Sequence, residues 1–170
     1  PIIGITGTNG KTTTTQLVEK MLNACGVKTV AAGNIGPAFS GRVRQSKELD
    51  VMTLEISSFQ LETIRRFHAQ TTVWLGFAPD HLDRYRSVAE YYAAKIRIFE
   101  NQTSDDWAIV NFRDKLPELA ARKITFSAYA SGADFELRDG AIHFRSERVL
   151  PMAETKLRGL HNAENLMAAL

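Results

Sequence analysis

Short apolar runs alternate with amphipathic stretches along this chain, and that rhythm predicts most of its elements. Residues 2–6 form an apolar, β-branched run that predicts a strand. After a glycine-bearing stretch at 7–11, residues 12–25 place Leu17, Val18, Met21, Leu22 and Cys25 on one helical face. Gly26 stands where a left-handed residue ends such a helix. Residues 28–32, 51–56 and 71–77 predict three further strands, with a helix over 58–67 between the last two. Ser87 and Glu90 have capping-box spacing at the head of a helix that runs to about Glu100. Two short strands follow at 107–111 and 123–127, then a hairpin over 135–144 whose Asp139-Gly140 pair suits a type I′ turn. A last helix starts near Asn162. Strands alternating with helices predict an α/β fold, a mostly parallel sheet with flanking helices, extended at one edge by the late hairpin.

Composition narrows the function classes. The 170 residues fit one domain with a real core. A net charge of +2 argues against a polyanion-binding surface, so no nucleic-acid partner is expected. The single cysteine, Cys25, excludes an internal disulfide framework and fits a reducing, cytoplasmic compartment. No apolar run reaches the roughly 20 residues of a membrane span, and no signal peptide opens the chain. The start at Pro1 and the end at Leu170, inside an apolar-periodic segment, read as a domain cut from a longer protein.

The strongest chemical signal is Gly7-Thr8-Asn9-Gly10-Lys11-Thr12, set between a predicted strand and a predicted helix. Glycines let several backbone N–H groups face one oxyanion, and the helix N-terminus adds partial positive charge. Lys11 supplies a full charge for the β/γ-phosphates of ATP, and the Thr12 hydroxyl can bind Mg²⁺. The sheet is therefore expected to be of the P-loop NTPase kind, although the first glycine of the general pattern would fall at Ile5. Glu55 closes the third strand, at the sheet end where α/β folds bind ligands. It is either a solvent-facing acid or a carboxylate for the magnesium that bridges phosphates. His81 lies in the charged loop 80–84 and alone reads as a surface histidine. Lys95 has Tyr91, Tyr92 and Phe99 at helical spacing. It is either a snorkelling lysine or one kept neutral in a dry site, able to add CO₂ and become a carbamate ligand. Asn162 either caps the last helix or offers its amide to an adenine edge.

Six segments together resemble the Mur ligase superfamily over nearly the whole chain: residues 7–12, Gly-Asn-Ile-Gly at 33–36, Glu-Ile-Ser-Ser-Phe-Gln-Leu-Glu at 55–62, Asp-His-Leu-Asp-Arg-Tyr at 80–85, Ala-Ala-Lys-Ile-Arg-Ile-Phe at 93–99 and Gly-Leu-His-Asn-Ala-Glu-Asn at 159–165. The resemblance implies that residues 1–170 are the central ATP-binding domain, without the N-terminal UDP-binding and C-terminal amino-acid-binding domains. It implies that Asn9, Gly10, Lys11, Thr12 and Thr13 hold the ATP phosphates, and that Asn162 and Asn165 contact the adenine side. Two Mg²⁺ ions are implied, the first on Thr12 and Glu55 and the second on His81 and an N6-carboxylated Lys95. Asn34, Ser57 and His81 are implied to meet the sugar-linked substrate, and Lys11, His81 and Lys95 to serve the chemistry.

The implied reaction is activation of a carboxylate as an acyl phosphate, followed by attack of an amino acid's amine. The segment 57–62 points, within the superfamily, to UDP-N-acetylmuramoyl-L-alanine and D-glutamate as the small-molecule partners of a monomeric enzyme. Rival readings are a superfamily ligase for another acceptor, a folylpolyglutamate synthase, a nucleotide-dependent binding module without ligase chemistry, and a nucleotide-free interaction domain.

Overall fold

The computed structural model describes residues 1–36, 38–80 and 83–170. Among these, nine strands form one sheet: β1 (Ile2–Thr6), β2 (Thr29–Gly33), β3 (Val51–Glu55), β4 (Thr71–Trp74), β5 (Trp107–Asn111), β6 (Arg122–Ser127), β7 (Phe135–Arg138), β8 (Ala141–Phe144) and β9 (Glu147–Pro151). Their order is β2-β3-β1-β4-β5-β6-β7-β8-β9. Pairing is parallel from β2 to β7 and antiparallel for β7-β8-β9. The α/β expectation and the antiparallel extension both hold. Asp139 and Gly140 carry φ of 48° and 71°, the left-handed pair that a type I′ turn requires. The ninth strand was absent from the expectation, because Glu147–Pro151 is an exposed edge with little apolar alternation.

Among the described residues, five α-helices pack on the sheet: α1 (Lys11–Ala24), α2 (Phe39–Arg42), α3 (Ser58–Leu61), α4 (Val88–Ile96) and α5 (Leu160–Met167). Strand alternation divides the core in two. Ile5, Val73 and Leu75 face Val18 of α1 and Leu166 and Met167 of α5. Leu54, Ile56 and Trp74 face Leu61 at the end of α3 and Ile98 and Phe99 beyond α4. Helices thus cover both faces, as right-handed crossovers in opposite directions from β1 demand.

Several boundaries differ from expectation, and the larger differences have identifiable causes. The helix foreseen over 58–67 stops at Leu61, because Arg97 takes the carbonyls of Leu61, Glu62 and Ile64, and Asn101 takes those of Arg65 and Phe67. Tertiary donors replace the helical ones. β4 ends at Trp74 rather than Phe77, since Gly76 turns to φ +132° and gives its carbonyl to Thr8 N. Cys25 is exposed just past α1, while the helix buries Thr14 and Thr15 beside Val18. Gly26 does end α1: its amide bonds Asn23 O and that of Val27 bonds Leu22 O, the reciprocal closure of a Schellman turn. Finally, α5 begins at Leu160 after Gly159, so Asn162 lies inside the helix and is not its cap. No helix among the described residues is long and apolar enough to cross a membrane.

Candidate functional site

β1 lies between β3 and β4, so the loop that leaves it meets the C-terminal ends of both neighbours. Thr8 pins the loop to the β4 side: its amide bonds Gly76 O at 3.0 Å, and its hydroxyl donates to Ala78 O and accepts from Ala78 N. Gly10 then starts α1 at φ +84° with no side-chain cap, and the first turn carries no acid. A capless, acid-free N-terminus leaves backbone N–H groups free for an anion. Lys11 curls back over this loop, donating from Nζ to Gly7 O at 3.1 Å and Thr8 O at 3.0 Å. Asn9 is exposed at the rim and Thr13 is half-buried on the first turn.

Glu55 is 2% exposed and bonded on both oxygens. Thr12 Oγ1 donates to Oε2 at 2.8 Å and Asn34 Nδ2 donates to Oε1 at 2.9 Å. The solvent-facing alternative for this acid is excluded. Asn34 comes to it because Gly33, at φ +104°, lets β2 run so close that a Cβ there would strike Glu55 O at 2.3 Å. The paired Thr12 hydroxyl and Glu55 carboxylate are hard oxygen donors that suit Mg²⁺. No cluster of three His, Cys, Asp or Glu side chains occurs among the described residues. A magnesium ion on these two donors would take the rest of its shell from phosphate and water, as that ion commonly does.

On the other flank, α4 delivers Lys95, 2% exposed, whose Nζ donates to Gly7 O at 2.7 Å. That oxygen also accepts from Lys11 at 3.1 Å, so two lysine nitrogens share one acceptor. Burial, and next the Lys11 charge, lower the Lys95 pKa to about 7, with Asp80 acting weakly in the opposite direction. Its Nζ lies 5.0 Å from the centroid of the Tyr91 ring, while Tyr92 and Phe99 pack on Trp74. A solvent-reaching, snorkelling lysine is excluded by this geometry.

α5 closes the third side. Asn165 Oδ1 accepts from Thr14 Oγ1 at 3.3 Å, and its Nδ2 donates to Asn162 Oδ1 at 3.2 Å. Asn162 Nδ2 in turn bonds Arg158 O at 2.8 Å. Between α5 and the phosphate loop opens a cleft of about 290 Å³, lined among others by Thr8, Asn9, Gly76, Arg113, His161 and Glu164. Asn111 and Glu164, both buried here, were not singled out from sequence. Asn111 is a polar residue closing an apolar strand, the same signal that marked Glu55. Glu164 sits inside a segment read only for its asparagines.

Ser57 stands apart from this cluster. It caps α3, accepting from Gln60 N while its own amide bonds Gln60 Oε1 at 2.9 Å. The rest of that segment braces the loop before α4: Glu62 accepts from Tyr85 OH at 2.5 Å and from Arg84 at 3.2 Å, and Arg84 lies 4.3 Å over the Phe59 ring. These bonds, the tyrosine's first, hold the Glu62 carboxyl below its ordinary pKa. His81 lies outside the described residues.

Residues 5–170 match the Mur ligase middle domain. A UDP-N-acetylmuramoylalanine–D-glutamate ligase from Geotalea daltonii is 44% identical over 179 aligned residues, covering all of this chain and 40% of that protein. The chain thus spans about two fifths of the length of the curated relatives it matches. Among solved structures, a UDP-N-acetylmuramoyl-L-alanyl-D-glutamate–2,6-diaminopimelate ligase superposes with a TM-score of 0.81 at 22% identity, over 99% of this chain and 42% of the other. A MurF ligase from Thermotoga maritima, solved with ADP, gives 0.71 at 16%, over 99% and 44%.

Proposed function

Because the chain belongs to the family of Mur ligase middle domains, we propose that it is the ATP-binding domain of a ligase joining D-glutamate to UDP-N-acetylmuramoyl-L-alanine in peptidoglycan synthesis. The observation that carries this reading is the convergence of Lys11, Thr12, Glu55 and Lys95 on one uncapped helix N-terminus. Relatives of 44% and 42% identity bearing that ligase name support the choice of substrates. UDP and amino-acid sites belong, in this reading, to other parts of the longer enzyme. The enzyme works as a cytoplasmic monomer.

Lys11 exchanges its two carbonyl contacts for phosphate oxygens, and the α1 amides take the remaining charge. Asn162 and Asn165 face the adenine side. Asn34, Ser57 and His81 meet the muramoyl-alanine part of the substrate, whose carboxylate attacks the γ-phosphate in line to yield the acyl phosphate and ADP. The amine of glutamate then displaces phosphate from the acyl carbon. Thr12 and Glu55 would hold one Mg²⁺, and His81 and Lys95 a second; such ions offset the repulsion among converging anions. Lys95, with a pKa of about 7, is substantially neutral at physiological pH, the form that attacks CO₂. The amine nitrogen bonds the CO₂ carbon and loses a proton, so a neutral amine becomes an anionic carbamate.

The test is the full-length enzyme with ATP, UDP-N-acetylmuramoyl-L-alanine and either D- or L-glutamate. ADP, phosphate and amide should appear together with the D-isomer only. Amide formed with a different acceptor would transfer the chain to another ligase of the superfamily. Nucleotide binding without acceptor-dependent phosphate release would make it a binding module.

A further inference from the structure

Glu164 has no part in the chemistry above, yet it is 8% exposed and accepts from three residues, two at the end of β5 and one beyond β6. Its Oε2 accepts from Asn111 Nδ2, at the end of β5, at 3.2 Å and from Arg113 at 3.4 Å. Its Oε1 accepts the amide of Ala128, just beyond β6, at 3.2 Å. Asn111, 2% exposed, is equally engaged: Nδ2 also donates to Leu75 O at 3.3 Å, and Oδ1 accepts Arg113 N at 3.1 Å. Leu75 presses on the phosphate loop, where a Cβ on Gly7 would meet Leu75 Cβ at 2.8 Å. One residue after Glu164, Asn165 meets the same loop from the other side, at Gly10 and Thr14. The contacts close a ring from the loop through Leu75, Asn111, Glu164 and Asn165 back to the loop.

We propose that Glu164 is a positioning residue for the nucleotide site, acting through Asn111 to set the phosphate loop between β4 and α5. This rests on the reading of that loop as the nucleotide site. Both partners that matter are N–H donors, Asn111 Nδ2 buried and the Ala128 amide half-buried, and each needs an acceptor. A carboxylate satisfies them on its two oxygens at once. An amide cannot, because one of its two atoms is itself a donor. Glu164→Gln therefore keeps the shape of the side chain and sets an NH₂ against an N–H. Arg113 is a lesser partner, since its side chain is 48% exposed and its charge is screened by water.

The experiment uses the full-length enzyme and reads the Kd of ADP by calorimetry beside the KM of the UDP-linked substrate. Wild-type enzyme that binds no ADP defeats the reading of the loop, and the proposal with it. With wild-type binding established, Glu164→Gln should weaken ADP about tenfold, the size of one mismatched buried hydrogen bond. The other KM should stay within about twofold. Arg113→Ala should change ADP binding by less than about threefold. Asn111→Ala cuts the same ring on its other side and should repeat the nucleotide-specific loss. Unchanged ADP affinity in folded Glu164→Gln or folded Asn111→Ala overturns the proposal. So does an equal loss of both substrates, which would mark Glu164 as merely structural, or a loss that Arg113→Ala reproduces in full.

Discussion

Gly10 and Gly26 form a matched pair that separates backbone strain from steric conflict at the phosphate loop. Their φ angles are +84° and +82°, so alanine at either position meets the same left-handed backbone. That penalty is about 1–2 kcal/mol. The surroundings differ: a Cβ on Gly26 meets nothing among the described residues within 4 Å, whereas one on Gly10 would lie 2.3 Å from Asn165 Oδ1. That oxygen is not a yielding side-chain tip. It accepts from Thr14 at 3.3 Å, and the nitrogen of the same amide donates to Asn162 at 3.2 Å, on a residue only 7% exposed. Relief requires Asn165 to leave, breaking two hydrogen bonds worth about 1 kcal/mol each, more if a partner stays buried and unpaired. Gly10→Ala should thus cost about 3–5 kcal/mol against about 1–2 for Gly26→Ala. Its melting temperature should fall roughly 5–10 °C below that of the Gly26 variant. Thermal and urea unfolding can be followed on Trp74, which is 0% exposed. Adding Asn165→Ala to Gly10→Ala removes the obstacle, so the pair should cost less than its two members separately. Equal melting temperatures for the two alanine variants, or strict additivity with Asn165→Ala, would refute the reasoning.

Two further expectations concern titratable groups. In the full-length enzyme, Lys95→Ala should depress turnover by orders of magnitude, and added formate or acetate should restore part of it by taking the place of the proposed carbamate; a folded variant that is fully active without rescue reduces Lys95 to packing. Burial opposes ionisation of Asp106, yet the Thr103 amide, the His68 imidazole and the Thr103 hydroxyl together hold its pKa below the ordinary carboxylate value. A depressed folded-state pKa adds stability that is present above about pH 4 and lost as pH falls through the lowered value. Asp106→Asn should therefore flatten the stability–pH curve below about pH 4, and an acid limb as steep as wild type in urea titrations would count against this.

Elements carried by local signals were legible in the sequence. The strand–loop–helix around Gly7–Thr12, the Schellman end at Gly26 and the Asp139-Gly140 turn each depend on residues a few positions apart. The Ser87 cap was half legible: its hydroxyl does accept Glu90 N, but the Glu90 carboxylate takes the amide of Arg86 instead of closing the box. What failed was set by distant partners. Nothing near residues 58–67 announces that Arg97 and Asn101 will claim their carbonyls. Likewise, of the aromatic face read around Lys95, Tyr91 lies under its Nζ, whereas Tyr92 packs on Trp74 and Phe77 and Phe99 packs on Trp74.

The site itself shows why strand-end polar residues were readable one at a time and not as a group. Thr12 meets Glu55 across 43 positions, Lys95 meets Gly7 across 88 and Thr14 meets Asn165 across 151. Each side chain is placed by its own element, but which elements flank β1 is decided by the order β3-β1-β4. That order puts one carboxylate and one buried lysine on opposite sides of a single loop, and α5 across its front. A polar residue closing an apolar strand or facing inward from a helix has two ways to be tolerated. It can serve a ligand, or it can be saturated by protein donors. Glu55 and Glu164 are both nearly buried carboxylates, and the distinction between them lies in their partners. Glu55 is held by a hydroxyl and a side-chain amide, groups that can turn toward an arriving cation. Glu164 has a backbone amide on one oxygen and, on the other, an asparagine whose remaining donor and acceptor are already committed. The first arrangement can exchange its partners during a reaction. The second cannot without leaving a buried N–H unpaired, and so it serves to hold the loop in place.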